Sequence, residues 1–177
     1  MPLATSEFDA RAVGLKLAVF DVDGVLTDGR LYLSDEGIET KAFFSRDGLG
    51  LKALKNAGIQ VALLTARQSR LVTNRGRELG LEHVIQGRED KSAAFSELLD
   101  RLGLSDDQTS YAGDDLVDWP VLARSSLSLA PADSDPWIRD RVDWVSQARA
   151  GRGAVREMCE RILQARDQLD SFRESFR

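Results

Sequence analysis

Short apolar runs alternate with amphipathic segments along most of the chain. Runs of this kind, bounded by turn-forming residues, are typical of strands that are buried on both faces of a parallel sheet. They predict strands at residues 17–20, 59–65, 83–86, 109–113, 126–130 and 143–145. Between the strands, apolar residues recur at helical spacing and predict helices that begin near residues 47, 69, 90 and 153, with a helical turn near residue 135. The alternation predicts an α/β fold with a doubly wound, Rossmann-like parallel sheet.

One segment interrupts this alternation. Residues 29–44 contain two alternating runs on either side of a Ser-Asp-Glu-Gly turn, and this pattern predicts a β-hairpin insertion beside the main sheet. Leu31, Leu33, Phe43 and Phe44 give the segment more apolar surface than an isolated hairpin buries. Packing against another subunit and packing against its own domain both stay open. The insertion is too small to form a large cap domain.

Capping and turn residues indicate where the helices begin and end. Asp47 is expected to cap a helix that ends at Gly58, and Ser69 is expected to start the helix that Gly80 stops. Residues 1–14 are aperiodic, which is typical of a frayed lead or a short helix. The polar tail after Leu169 is expected to be loose.

Composition limits the classes of protein to which the chain can belong. A length of 177 residues suits a single domain, here residues 1–177 with a core at about 15–165. The net charge of -5 argues against nucleic acid or an anionic membrane as a partner. The single cysteine, Cys159, excludes an intrachain disulfide and is expected in the core. We see neither a signal peptide nor a membrane span and expect a cytoplasmic protein.

The first predicted strand runs directly into two carboxylates, Asp21 and Asp23, followed by Gly24. Ligands of open α/β sheets bind at the carboxyl ends of the strands. Two acids at that position repel each other unless a cation lies between them, and Mg²⁺ binds through carboxylates together with a substrate phosphate. The other interpretation is a polar turn that closes the strand, which the spacing alone supports equally well.

Further polar groups follow other predicted strands or begin helices: Thr65, Lys91 and Asp114, with Asp115 and Asp118 nearby. In a parallel sheet these positions converge at one edge. Phosphoryl transfer needs such a set, because charge on the phosphoryl oxygens must be stabilised and the reacting groups positioned. One carboxylate can attack phosphorus, a second can act as acid and base, and a hydroxyl and an ammonium can bind the oxygens. Together these groups make the turn interpretation the weaker one.

The same residues carry a resemblance to a known family. Asp21-x-Asp23-Gly-Val, Thr65, Lys91 and Gly113-Asp114-Asp115-x-x-Asp118 resemble, in this order, the four motifs of the haloacid dehalogenase superfamily of phosphatases. Further segments resemble the 3-deoxy-D-manno-octulosonate 8-phosphate phosphatases: residues 28–29, 41–43, 46–48, 113–120 and 151–157. The resemblance covers about residues 15–165.

The resemblance implies a role for each matching position. Asp21 is expected to be the nucleophile and a Mg²⁺ ligand, Asp23 the general acid and base and a ligand through its backbone carbonyl, and Asp114 a further ligand. Thr65 and Lys91 are expected to hold the phosphoryl oxygens. The residues expected near the substrate are Asp23, Phe44, Ser45, Arg46, Asp47, Gly48, Lys52, Arg67, Arg75 and Lys91. Arginines suit a sugar acid, because guanidinium pairs well with carboxylate and phosphate.

The family resemblance also implies a homotetramer in which the hairpins of the subunits meet and a carboxyl-terminal segment reaches a neighbouring site. The sequence Gly151-Arg152-Gly153 would then be a flexible cationic approach to the substrate. Two positions depart from the family: Ala66 stands where glycine is common, and Lys52 stands where some relatives carry arginine. Both departures bear on substrate affinity, while the reaction type is unaffected.

Several interpretations stay open at this stage. A phosphatase for a nine-carbon keto sugar acid phosphate shares the same motifs, and a non-catalytic oligomerisation module shares the fold. A transferase would need an acceptor that the sequence does not show. Asp115 and Asp118 can support the site or cap a short helix. Taken alone, Lys91 fits a solvated lysine at a helix start, whereas Arg67 and Arg75 fit surface charges and ligands equally well. His83 is expected to be structural because no metal-ligand partner accompanies it.

Overall fold

The structure is a computed structural model that describes residues 3–177. Six strands form one parallel sheet: β1 (Leu17–Phe20), β4 (Gln60–Leu64), β5 (His83–Ile85), β6 (Thr109–Ala112), β7 (Leu127–Ala130) and β8 (Trp144–Val145). Their spatial order is β5-β4-β1-β6-β7-β8. The chain therefore winds outwards in both directions from β1, as the alternating pattern predicts.

Helices cover both faces of this sheet. They are α1 (Thr5–Val13), α2 (Ser45–Asn56), α3 (Arg70–Leu79), α4 (Lys91–Leu102), α5 (Trp119–Leu122), α6 (Pro136–Arg139), α7 (Ala154–Ala165) and α8 (Leu169–Glu174). Successive residues of β1 pack into different apolar clusters: Ala18 and Phe20 into one, Leu17 and Val19 into the other. Side chains alternate across a strand, so β1 is buried on both faces. The predicted doubly wound α/β fold is confirmed.

The insertion is a small antiparallel hairpin of β2 (Tyr32–Leu33) and β3 (Glu39–Thr40). Only Phe43 of its apolar residues packs against the core of the same chain. The hairpin leaves four large apolar side chains exposed: Leu31, Tyr32, Leu33 and Ile38. Packing on its own domain therefore accounts for the base of the hairpin and leaves its tip uncovered.

Some predicted helix ends are confirmed and one is wrong. The Ser69 side chain accepts a hydrogen bond from the backbone N–H of Leu71, and Gly80 ends α3 with a φ of 66°. Asp47, in contrast, lies inside the first turn of α2 and does not cap it. Its Oδ1 accepts from the backbone N–H of Arg156, at 2.8 Å. Because α2 packs beside α7, the carboxylate reaches the amino end of the neighbouring helix.

The tail is more ordered than its polar sequence indicates. Leu169 and Phe172 of α8 pack against the main apolar cluster, and the guanidinium of Arg156 lies 5.1 Å from the centre of the Phe172 ring. The loose tail was a wrong prediction, because two apolar side chains spaced i, i+3 are enough to dock one short helix. At the other end of the chain, α1 buries Phe8 and Ala12, so the short-helix alternative is the correct one.

Two other expectations concern burial and membranes. Cys159 is a free thiol within the core, where burial raises its pKa well above the usual range. Among residues 3–177, none of the helices combines the length and the apolar character that crossing a bilayer requires.

Candidate active site

The carboxyl ends of three neighbouring strands bring the candidate residues together. In the sheet register, Phe20 at the end of β1 lies beside Leu63 of β4 and Ala112 of β6. Asp21 follows β1 directly, Thr65 follows β4 directly, and Asp114 follows β6 after one glycine. Lys91 begins α4, shortly after β5. Residues distant in sequence thus meet at one edge of the sheet.

Three carboxylates and one ammonium form the centre of this edge. Asp21, Asp114 and Asp118 each offer an oxygen, and these oxygens lie within 4.8 Å of one another. Nζ of Lys91 lies 3.0 Å from Oδ1 of Asp21 and 2.7 Å from Oδ1 of Asp118. Asp21, Asp118 and Lys91 are buried, and Asp114 is half-buried. One buried cation thus faces three carboxylates, which leaves excess negative charge in a region that water barely reaches.

The pKa values of the buried groups reflect this excess of negative charge. Burial raises the pKa of Asp21 to about 7; the Asp118 charge adds to the rise, while Lys91 opposes it. Burial, with the charges of Asp21 and Asp118, raises the pKa of Asp114 to about 8. Burial alone would lower the pKa of Lys91, but the two carboxylates outweigh it and raise that pKa. A hard divalent cation fits such an all-oxygen set, because it supplies the missing positive charge.

Asp118 is the residue that sequence reasoning left open. Its Oδ1 accepts from Lys91 and from the Tyr111 hydroxyl, each at 2.7 Å. Its Oδ2 accepts from the backbone N–H groups of Asp114 and Asp115, at 3.0 and 3.3 Å. Burial raises the pKa of Tyr111 well above its usual range, so the hydroxyl remains a donor. Asp118 therefore fixes both Lys91 and the loop that carries Asp114.

Two glycines make this close packing possible. A Cβ on Gly113 would lie 2.5 Å from Cβ of Asp118, and a Cβ on Gly24 would lie 2.0 Å from Oδ2 of Asp114. Gly24 also has a φ of 89°, in the left-handed region. The loop after β1 can therefore approach Asp114 only with glycine at position 24.

The Asp23 side chain contacts the end of the hairpin and the turn after β4. Its Oδ1 accepts from the ammonium of Lys41, and its Oδ2 lies 3.8 Å from Nε of Arg67. Arg67 also donates to Oε1 of Glu39 at 2.7 Å, and Lys41 lies 3.3 Å from the same Glu39 oxygen. Lys41 and Glu39 were missed as site residues in the sequence, where only the segment 41–43 was noticed as part of a motif.

Thr65 and Arg67 belong to one short turn after β4. Thr65 is buried, and its Oγ1 accepts from the backbone N–H of Arg67, at 3.3 Å. The backbone carbonyl of Thr65 accepts from the N–H of Arg88, at 3.4 Å. These bonds hold Thr65 beside the strand ends and direct Arg67 towards Asp23.

The start of α2 holds most of the other residues predicted to contact substrate. The Arg75 guanidinium lies 5.9 Å from the centre of the Phe43 ring, and a Cβ on Gly48 would lie 2.3 Å from Nη2 of Arg75. Ser45 and Arg46 are exposed, and the Arg46 guanidinium lies 5.8 Å from the centre of the Phe44 ring. Gly48 thus leaves room for the Arg75 guanidinium against the first turn of α2.

Lys52 and Asp47 were also predicted to lie near the substrate, but their surroundings differ from those of the other residues at the start of α2. Lys52 is exposed on α2 and forms neither a hydrogen bond nor an ion pair with the other residues that the structure describes. Asp47 is buried, and its carboxylate is bonded to the amino end of α7. Burial raises the pKa of Asp47 to about 6, although the backbone N–H groups of Arg156 and Gly153 oppose the rise.

Gly151, in the segment before α7, packs against the loop after β1, which begins with Asp21 and Asp23. Its backbone N–H donates to the carbonyl of Val25, at 3.2 Å, and its φ is 61°. A Cβ at this position would lie 2.7 Å from the backbone nitrogen of Asp28. Arg152 follows as an exposed side chain. The segment that was expected to be flexible is thus held against the loop after β1.

The chain was compared with known proteins by sequence and by structure. No protein-family model matches the chain. The 3-deoxy-D-manno-octulosonate 8-phosphate phosphatase of Escherichia coli K12 is 44% identical over 161 residues, which cover 91% of this chain and 86% of the relative. The chain is also similar to the crystal structure of the Yersinia pestis phosphatase of the same name, with a TM-score of 0.90 and 43% identity, covering 93% of this chain and 89% of that one.

A third relative was solved with ligands. The crystal structure of the Moraxella catarrhalis 3-deoxy-D-manno-octulosonate 8-phosphate phosphatase, in complex with magnesium ion, phosphate ion and KDO, has a TM-score of 0.95 to this chain. It is 40% identical and covers 98% of this chain and 100% of its own. The similarity therefore extends over the sheet, the hairpin and both ends of the described chain.

Proposed function

The chain belongs to the 3-deoxy-D-manno-octulosonate 8-phosphate phosphatase family of the haloacid dehalogenase superfamily, and from this premise we propose that it is a Mg²⁺-dependent phosphatase. The substrate is 3-deoxy-D-manno-octulosonate 8-phosphate, which is hydrolysed to the free sugar acid and phosphate. This reaction belongs to the synthesis of lipopolysaccharide precursors. The observation that carries the proposal is the buried group of Asp21, Asp114 and Asp118 around the Lys91 ammonium.

In the first step, a carboxylate oxygen of Asp21 attacks phosphorus and the ester P–O bond breaks, leaving an aspartyl phosphate. Asp23 donates a proton to the departing alkoxide. In the second step Asp23 takes a proton from water, whose oxygen attacks phosphorus and releases Asp21. Thr65 and Lys91 bind the phosphoryl oxygens, and the Lys91 ammonium already lies 3.0 Å from the Asp21 carboxylate. These are the roles that the family resemblance implies for the matching positions, and the residue types suit them.

The residues assigned to hold Mg²⁺ are Asp21 and Asp114, with the backbone carbonyl of Asp23. The excess of carboxylates over buried cations at this edge supports the assignment. When bound, the ion neutralises negative charge on the phosphoryl oxygens and on the two acids. Asp118 stays bonded to Lys91, Tyr111 and the 114–115 backbone and serves as a support for the site.

The sugar acid is assigned to the surface between Arg67 and the start of α2. Arg67, 45% exposed, and Arg75 supply guanidinium groups for the substrate's carboxylate and hydroxyl groups. Phe44, Ser45, Arg46 and Gly48 line the first turn of α2, and Lys52 supplies a cation further along it. We assign Asp47 an indirect part, because its carboxylate is bonded to the amino end of α7.

We further propose that the protein works as a homotetramer in the cytoplasm. The support for assembly is the hairpin, whose Leu31, Leu33 and Ile38 form an apolar surface that residues 3–177 leave exposed. A small sugar acid phosphate is the expected partner, and the net charge of -5 disfavours nucleic acid. The chain is treated as a single phosphatase domain.

The test is phosphate release from a panel of esters in the presence of Mg²⁺. The panel contains the eight-carbon and nine-carbon keto sugar acid phosphates and simple hexose phosphates. We expect a clear preference for the eight-carbon acid. The variant Asp21→Asn should release no phosphate, while Asp100→Asn, at an exposed aspartate of α4, should match the wild-type rate.

Other outcomes separate the alternatives. A preference for the nine-carbon acid would transfer the assignment to that substrate with the chemistry unchanged. Equal rates on all esters would keep the phosphatase and remove the substrate assignment. If the pure, folded wild-type protein released no phosphate from any ester, the non-catalytic oligomerisation module would replace the enzyme as the explanation.

A further inference from the structure

Four alternating charges form a closed ring between the hairpin and the catalytic edge. Lys41 contacts both Asp23 and Glu39, and Arg67 contacts the same two acids. Two members, Glu39 and Lys41, come from the end of the hairpin, whereas Asp23 follows β1 and Arg67 follows β4. The ring therefore joins the insertion to the residue that is assigned as the general acid and base.

Within this ring Lys41 is the buried member. Its side chain is 2% exposed, against 45% for Arg67. A lysine is almost never fully buried unless its charge is paired. Its ammonium forms a direct hydrogen bond with Oδ1 of Asp23, whereas Arg67 approaches Oδ2 no closer than 3.8 Å and gives its short contact, of 2.7 Å, to Glu39. Lys41 is therefore the stronger of the two restraints on Asp23.

The two oxygens of Asp23 differ in their surroundings. Oδ1 is held by Lys41, while Oδ2 is buried and accepts no hydrogen bond from the part of the chain that the structure describes. A carboxylate that Lys41 holds through Oδ1 keeps one orientation, and its Oδ2 makes a longer contact, of 3.8 Å, with Nε of Arg67. Proton transfer to a leaving group needs this kind of fixed orientation within hydrogen-bond reach.

We propose that Lys41 is a positioning residue for Asp23: its ammonium holds Oδ1 and so fixes the orientation of the carboxylate that is assigned to exchange protons with the departing ester oxygen and the attacking water. This inference rests on the proposed function and on the role assigned there to Asp23. It also gives the hairpin a part in catalysis within its own subunit, because the hairpin delivers Lys41 and Glu39 to the site. Lys41 itself need not touch the substrate.

A merely structural role for Lys41 has different consequences. If Lys41 only fastened the hairpin to the domain, its loss would affect every substrate equally. The hairpin has a second polar attachment that tests this point: the Tyr32 hydroxyl donates to Oδ2 of Asp28, at 2.7 Å. Tyr32→Phe removes that attachment without touching the ring of charges, and it serves as the matched control.

The experiment compares two leaving groups. An alkyl ester such as the eight-carbon sugar acid phosphate needs a proton on its departing oxygen, whereas p-nitrophenyl phosphate releases a stabilised anion that does not. We expect Lys41→Met to lower kcat for the alkyl ester by about ten- to a hundredfold more than kcat for the aryl ester, with KM nearly unchanged. Lys41→Arg, which keeps a cation, should recover part of the loss, and Tyr32→Phe should leave the ratio of the two rates at the wild-type value.

The result that would overturn the inference is an equal loss on both esters, or the same change of ratio in Tyr32→Phe. Melting temperatures identify variants that do not fold, and Lys41→Arg then carries the comparison: an unchanged alkyl-to-aryl ratio in that variant, together with an equal fall in both rates, would also count against positioning. A wild-type protein that hydrolysed neither ester would instead contradict the proposed function itself.

Discussion

The Lys91 ammonium lies 2.7 Å from Oδ1 of Asp118, which is 27 positions away in the sequence. Both side chains are buried, and Asp118 also accepts hydrogen bonds from Tyr111 and from the backbone of the loop that carries Asp114. One carboxylate therefore links the residue assigned to bind phosphoryl oxygens to a residue assigned to bind Mg²⁺.

Removing this carboxylate should destabilise the protein. For Asp118→Ala we expect a loss of about 3 kcal/mol in the free energy of unfolding, because the buried Lys91 ammonium loses the nearer of its two carboxylate partners and two backbone N–H groups lose their acceptor. Urea denaturation in Mg²⁺-free buffer measures the change. The control is Asp115→Ala, which removes the neighbouring exposed carboxylate and should cost about 1 kcal/mol through the lost cap on Leu116. Similar losses of unfolding free energy in both variants would show that the buried hydrogen bonds of Asp118 do not stabilise the site.

Mg²⁺ should stabilise the folded protein and should be required for hydrolysis. A ligand present at about a hundred times its dissociation constant adds about 2.7 kcal/mol to the free energy of unfolding. We therefore expect a rise in Tm with Mg²⁺ that a chelator reverses together with the activity. Asp114→Asn should lose most of this rise, whereas Asp115→Asn should keep it. Undiminished hydrolysis in chelator would remove the metal from the mechanism.

Asp47 should make stability depend on pH. Burial raises its pKa from the ordinary value of 3.8 to about 6, so between these values the folded state binds a proton that the unfolded state lacks. The contribution of Asp47 to the free energy of unfolding is therefore greatest below about pH 4, and it is lost as the pH rises through about 6. Asp47→Asn should remove this slope, which is worth about 3 kcal/mol for a rise from 3.8 to about 6 at about 1.4 kcal/mol for each pKa unit.

Urea denaturation of the wild-type protein and the variant between pH 4 and 7 measures the Asp47 effect as a difference between two curves. Asp100→Asn, at an exposed site, should run parallel to the wild type. Parallel curves for Asp47→Asn as well would show that the carboxylate at the amino end of α7 is already ionised throughout this range.

Helix α8 should contribute to stability although its sequence is mostly polar. Phe172 packs against the main core, whereas Phe176 is 65% exposed. We expect Phe172→Ala to lower the free energy of unfolding by about 1–2 kcal/mol, since its ring is only partly buried. Phe176→Ala should cost less, about 0.5 kcal/mol, because its largely exposed ring loses only an edge contact with the Phe172 ring, at 5.4 Å between centres. Thermal unfolding of the two variants provides the comparison. Equal, negligible effects would restore the view of a loose tail.

The fold and the central part of the site could be predicted from the sequence. Apolar runs such as residues 17–20 and 59–65 must be buried on both faces, and this requirement leads to a parallel sheet with helices on each side. Once the sheet is parallel, Asp21, Thr65 and Asp114 must lie at one edge, because each follows a strand. Local signals also located the start of α3 at Ser69 and placed the start of α4 near residue 90.

Tertiary structure alone decided which charges pair with one another. The sequence left Asp118 open between supporting the site and capping a short helix, and the structure shows it as the buried partner of Lys91. Asp47 was predicted to cap α2 and instead bonds to α7, and Lys41 was predicted only as part of a motif and contacts Asp23. Periodicity specifies which face of an element is apolar, whereas a hydrogen bond depends on the distance between side chains of elements far apart in sequence. That distance is set only when the helices and the hairpin pack against the sheet.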